Sequence, residues 1–256
     1  MNSVWISLVV FVAVLGGALL GLFIRTILPG HHLNEEARDA VKLGAGLIAT
    51  LTALVLGLLI SSAKGSFDAT STMLAQSGAK ILMMDRILVN YGPETQDIRV
   101  LLQRFLGARI VMIWPETSYK IKKLPGMDFS GKIVDMEEIQ ACLRNLAPKN
   151  DLQRSFQAQA LQLSDDLAQL RWLLFEQLQT TLPPLFLGVL IFWLAVLFAC
   201  FGLLTPRNGT VVVVFLVCAV SMAGAIYLIR EMEKPLNGTM KISSVPMVRT
   251  LERLAK

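Results

Sequence analysis

Few residues of this 256-residue chain are spaced to do chemistry together. His31 and His32, its two histidines, are neighbours, whereas paired ligands on a helix face want a spacing of three or four. They read as interfacial histidines rather than a metal site. Glu35, Glu36 and Asp39 follow Asn34 and read as the acidic first turn of a helix capped by Asn34, where carboxylates favour the dipole. Asp165 and Asp166 sit side by side in a long helical stretch. Adjacent positions diverge by about 100° around a helix, so these two read as solvated rather than convergent on a substrate atom. Asp85-Arg86, ahead of Tyr91-Gly92-Pro93-Glu94, reads as a structural tie near a helix stop. Cys142, Cys200 and Cys218 are too few and too scattered for a disulfide or zinc scaffold. The sequence has no phosphate-cradling Gly-rich loop, nucleophile elbow or metal-ligand cluster. No catalytic residue, metal or cofactor is therefore expected, and the chain does not read as an enzyme. The basic loop Lys120–Lys123 has Tyr119 as its aromatic neighbour, a poor match to nucleic-acid binding.

The strongest pattern lies in an apolar segment. Gly46, Thr50, Ala53, Gly57 and Ser61 recur at helical spacing, and Lys64 extends the strip at its end. Leu47, Leu51, Leu54 and Leu58 read as the opposite side. Such a strip has two readings. Small residues let helices approach closely, or they line a pore, where a low wall leaves room for an ion. Gly17 and Gly21 form a second close-approach pair. In the pore reading Lys64 stands at the cytoplasmic mouth, with Arg25, His31 and His32 near the outer one. A ring of lysines would favour anions.

The elements that must carry these residues are membrane helices. Apolar residues make up 54% of the chain and charged ones 17%, against nearer 45–50% and a quarter in soluble domains, and the mean hydropathy is +0.57. The excess is blocked, which excludes a disordered protein and fits a water-soluble enzyme poorly. Crossing a bilayer takes about 20 apolar residues. Four segments qualify: 4–28, with Arg25 as its charge, 43–63, with none, 184–204 and 210–229. All must be helical, because hydrocarbon offers exposed amides no partner. The first reads as a retained anchor, since no Lys or Arg precedes it.

The expected fold is thus all-α, an integral membrane protein with two transmembrane hairpins (1–63 and 182–229), a helical insert (64–181) between spans two and three, and a tail (230–256). An even number of spans places insert and termini on one side. Near the span ends, Lys64, Lys80, Arg171, Arg230, Lys234, Lys241 and Arg249 outnumber Arg25, Arg38, Lys42 and Arg207. The positive-inside rule then makes insert and termini cytoplasmic, in an inner (plasma) membrane. Unpaired Cys142 agrees with a reducing compartment. Within the insert, Phe67, Leu74, Ile81, Met84, Leu88 and Tyr91 follow a helical stripe that Gly92-Pro93 stops. A second helix fits Thr95 to Trp114, capped by Thr95, and Glu116 to Val134 reads as a surface loop. A third starts at Asp135 with a capping-box-like Glu138. A fourth runs from Asp151 to Thr180 and enters the third span through an expected kink at Pro183-Pro184.

No span carries a charge near its middle, which argues against an ion-coupled transporter. Four spans form a tight bundle, so any pore must arise between subunits. Two functions follow: a homo-oligomeric ion channel, or a non-conducting membrane scaffold or signalling protein whose helical insert binds a partner.

Several stretches, taken together, resemble the bacterial bestrophin-like family. They are Leu28-Pro29-Gly30-His31-His32-Leu33; Gly44 to Lys64, ending Leu58-Leu59-Ile60-Ser61-Ser62-Ala63-Lys64; Phe67-Asp68; Asp85-Arg86 with Tyr91-Gly92-Pro93-Glu94; Phe201-Gly202-Leu203 with Pro206-Arg207-Asn208; and Pro235-Leu236-Asn237-Gly238 with Ile242-Ser243-Ser244. The resemblance implies a four-span membrane protein related to bestrophins, which are oligomeric anion channels whose pore is lined by one span from each subunit. It implies as partners other copies of the chain, in a ring such as a pentamer, and inorganic ions; the apolar spans add membrane lipid, and the basic loop gives no reason to expect nucleic acid. Bestrophin necks are lined by phenylalanines of the second span, and this second span has none.

Overall fold

Backbone amides with no partner in hydrocarbon force the apolar segments into helices, and the computed structural model, which describes residues 3–29, 34–121, 134–179 and 184–255, contains no strand among them. The helices are α1 (Ser3–Ile27), α2 (Glu35–Tyr91), α3 (Gln96–Ile113), α4 (Ser118–Ile121), α5 (Met136–Arg144), α6 (Asp151–Gln179), α7 (Pro184–Leu204), α8 (Gly209–Met232) and α9 (Val245–Leu254). Four of them, α1, α2, α7 and α8, are long and apolar enough to cross a membrane. Asn34 caps α2 as its type predicts, its Oδ1 accepting from the Ala37 amide at 3.0 Å, with Glu35 and Glu36 in the first turn. Gly65 does not interrupt this helix, which runs on to Tyr91. The chain divides into two compact units, 1–67 with 180–234 and 238–240, and 68–179 with 235–237 and 241–256.

In the first unit α1 packs against α7 and α8. The α1 residues Val10, Val14 and Ala18 are fully buried, with Leu190 of α7 and Ala219 of α8. Small residues set the spacing. A methyl group built on Gly17 would lie 2.4 Å from the Ala195 carbonyl oxygen, and one on Gly21 2.0 Å from that of Ala199. Gly202 answers from α7, where the same atom would meet the Ala18 oxygen at 2.2 Å. Phe198 sits edge-on to Phe201 and Phe215, with ring centroids 5.9 and 6.2 Å apart. Val55, Leu56, Leu59 and Ala63 of α2 join this core. At the end of α8 the buried Glu231 carboxylate accepts from the Thr239 amide at 2.6 Å and its hydroxyl at 2.9 Å.

The second unit is held by ties that local spacing does not announce. Gly92 takes a φ of 135°, a conformation open to glycine, and ends α2. Thr95 does not cap α3 with its side chain; its hydroxyl instead donates back to the Leu88 carbonyl at 2.6 Å, closing the turn between α2 and α3. Asp135 likewise makes no side-chain cap on α5. Asp85 pairs with Arg99 of α3, at 2.7 Å from Nε, and not with Arg86, since adjacent side chains on a helix diverge. The two neighbouring aspartates of α6 are each engaged: Asp165 accepts from Gln140 at 2.9 Å, and Asp166 from Lys80. The chain end contributes α9, whose Met247, Thr250, Leu251 and Leu254 are buried. Trp114, buried at the end of α3, donates its Nε1–H to the Ile242 carbonyl at 2.8 Å. The expected kink at Pro183-Pro184 and most of the basic loop lie outside the described residues.

Candidate functional site

Within the apolar part of α2 every residue is compatible with lipid, so composition alone does not say which face is buried. The structure separates three faces. Ala45, Thr52, Leu59 and Ala63 are buried, and Val55 and Leu56 pack beside them. Gly46, Thr50, Ala53, Gly57 and Ser61 are all exposed on the chain's outer surface. Nothing lies within 4 Å of a methyl group built on Gly46 or Gly57. This strip is therefore not used to pack the chain against itself, unlike Gly17, Gly21 and Gly202. The leucines require a correction. Leu47, Leu51, Leu54 and Leu58 are exposed as well, and at about 100° per residue they stand roughly a quarter turn from the strip, not opposite it. The opposite face is the one carrying Val55 and Leu59.

The strip is chemically mild. The Thr50 hydroxyl donates to the Gly46 carbonyl at 3.0 Å, which leaves its oxygen as an acceptor. Residues 43–63 include no carboxylate. Lys64, exposed at the end of the strip, holds its Nζ 5.8 Å from the centroid of the Phe67 ring, a contact that orients the ammonium at modest energy. Arg25 falls in the last turn of α1, in register with Ala18, Gly21 and Leu22 on the packed face of that helix. A cation at a helix C-terminus is favoured by the dipole, and Arg25 Nη1 is buried with no hydrogen-bond partner among the described residues. His31 and His32 lie outside the described residues.

Sequence reading missed one constellation in the second unit. An open cavity of about 760 Å³ is lined by Asp85, Arg86, Arg99 and Arg253, with Leu82, Met83 and Val89. Its arginines come from α2, α3 and α9, and no local spacing signals that they meet. Asp85, paired with Arg99, is the carboxylate in that lining.

A bestrophin-like domain matches residues 11–247, a range that takes in most of α1, all of α2, α7 and α8, and nearly all of the second unit. No curated protein and no solved structure gives a match. With four helices apolar enough to span a bilayer and a domain match over nearly the whole chain, this membrane protein belongs to the bestrophin-like family.

Proposed function

We propose that the protein is a homo-oligomeric ion channel, selective for anions, with its pore lined by α2 from each copy. The observation that carries this reading is the outward strip Gly46, Thr50, Ala53, Gly57 and Ser61, which has open space where the glycines of α1 and α7 have a neighbouring backbone. One copy fills its own centre with apolar side chains such as Val14, Leu194 and Ala219, so a water-filled path requires several copies. A ring of at least four, a pentamer among them, would bring the strips around one axis. Small side chains there leave room for an ion, and the exposed leucines beside them suit contact with a neighbouring α2 or with lipid.

The absence of carboxylates from residues 43–63 leaves nothing along the strip to repel an anion. Lys64, once per copy, would form a positive ring at one mouth. The excess of Lys and Arg flanking the spans supports a cytoplasmic position for that mouth, for both termini and for residues 64–181. Arg25, His31 and His32 would then lie toward the other mouth, in a plasma membrane. The test is flux from liposomes holding the purified full-length protein, with insertion and oligomeric state verified. Chloride should pass, and Lys64→Glu should shift permeability toward cations. Sealed liposomes holding verified oligomers would overturn the channel and favour a non-conducting scaffold in which the strips only pack against one another.

A further inference from the structure

The second unit also contains an apolar cavity of about 100 Å³ lined by residues of α2, α3 and α6, with one each from α5 and α9. Leu74, Phe105, Leu174 and Met247 line it, and two guanidinium groups share the wall, Arg109 of α3 and Arg171 of α6. Neither arginine forms an ion pair among the described residues. Each is held against an aromatic face instead, Arg109 at 5.3 Å from the Phe105 ring centroid and Arg171 at 5.8 Å from that of Trp172. Burial first, and the Arg171 charge next, push the Arg109 guanidinium below its usual range, while Asp135 and Glu137 act in the opposite direction. Two like charges beside apolar walls, with no carboxylate in ion-pair contact among the described residues, are costly, and an anion between them would relieve both.

We infer that this cavity binds a small anionic amphiphile, its carboxylate or phosphate-monoester head between Arg109 and Arg171 and its apolar chain among Leu74, Phe105, Leu174 and Met247. The head calls for guanidinium because planar donors match both anions with two parallel hydrogen bonds. The volume limits the tail. A cavity of roughly 150 Å³ accommodates benzene, so the smaller space here takes about four carbons, or the end of a longer chain such as a hexyl group. The same head chemistry occurs on free short-chain acids and on membrane lipids. The site is independent of the pore, and its ligand does not depend on whether the protein conducts.

The test is calorimetric titration of the full-length protein in phosphatidylcholine nanodiscs. Hexanoate and hexyl phosphate should bind saturably, with hexanol and hexylammonium at least about tenfold weaker, because a charge-assisted hydrogen bond is lost. Arg109→Met and Arg171→Met should each weaken hexanoate by about tenfold or more, and Arg109→Lys by less. Leu174→Trp fills the cavity while keeping both arginines; it should abolish binding with helicity and melting unchanged, so a folding defect in the arginine variants does not decide the question. Phosphatidic acid in the nanodisc that competes with hexanoate would identify the bilayer as the source, and failure to compete a soluble one. Equal binding of hexanol, full affinity in well-folded Arg→Met variants, or no saturable binding at millimolar probe would overturn the inference.

Discussion

Replacing Gly21 by alanine puts a methyl carbon 2.0 Å from the Ala199 carbonyl oxygen and 2.9 Å from the Leu203 nitrogen. Ordinary contacts begin at 3.4 Å, so the new carbon is more than an ångström too close to backbone, which has no rotamer to move away. α1 and α7 must part or slide. A gap of about an ångström forfeits roughly a quarter to a half of each dispersion contact along the seam, which here includes the fully buried Val10, Val14, Ala18 and Leu190. Overpacked cores lose about 1–3 kcal/mol, equivalent to a roughly 5- to 140-fold fall in the folding equilibrium. Gly202→Ala meets the Ala18 oxygen at 2.2 Å and should cost as much. The pair together should cost less than the sum, because one separation relieves both clashes. Gly57→Ala, with nothing within 4 Å, should stay within about 0.5 kcal/mol of the parent. Reversible dodecyl sulfate unfolding in nonionic micelles, followed by circular dichroism, reads all four. The reasoning is refuted if Gly21→Ala is as stable as the parent, or if Gly57→Ala loses as much as Gly21→Ala does.

Two further expectations concern the second unit. Asp85→Asn removes the carboxylate paired with Arg99, whose side chains are 10% and 21% exposed, and leaves three arginines around one cavity; we expect a loss of about 2–3 kcal/mol, below the fully buried range because some solvent reaches the pair. Arg86→Ala should cost about 0.5 kcal/mol or less, and equal losses in the same unfolding assay would favour an Asp85–Arg86 tie instead. The exposed pair Glu94–Lys149, 2.6 Å apart, acts with pH. The hydrogen bond from Lys149 holds the Glu94 carboxyl below its ordinary value of 4.5, so its contribution is present above that value and lost as the pH falls through the lowered one. Lys149 is raised above 10.5 by the same bond, and its contribution is lost as the pH rises through the raised value. The stability difference between the parent and Glu94→Gln should therefore be small, confined to the range between these limits, and largely abolished in about 1 M salt.

Much of the fold was legible because hydropathy is a local property. The span expected at 184–204 coincides with α7, and that at 210–229 lies inside α8. The strip on α2 was legible as a spacing, and so was the quarter-turn offset of the leucines, which follows from about 100° per residue; which face is buried was not, because a segment apolar on all sides carries little amphipathic signal. The cap expected of Thr95 failed because its hydroxyl donates to the Leu88 carbonyl across the turn between α2 and α3; Asp135 makes no side-chain cap either. The Asp85–Arg99 pair spans 14 residues and the Trp114–Ile242 bond 128, distances over which residue type alone specifies no partner. The two arginines of the apolar cavity are hidden from the sequence in the same way.

By itself the sequence determined that four stretches become helices compatible with lipid, since an amide in hydrocarbon has no other partner than its own chain. It also determined where small residues recur along them. Only the tertiary structure decided what those small residues are for. Gly21 and Gly57 are the same residue in similarly apolar helices, yet one lies against the backbone of α7 and the other against open space. The difference resides in what a distant part of the chain brings alongside, which no local pattern encodes.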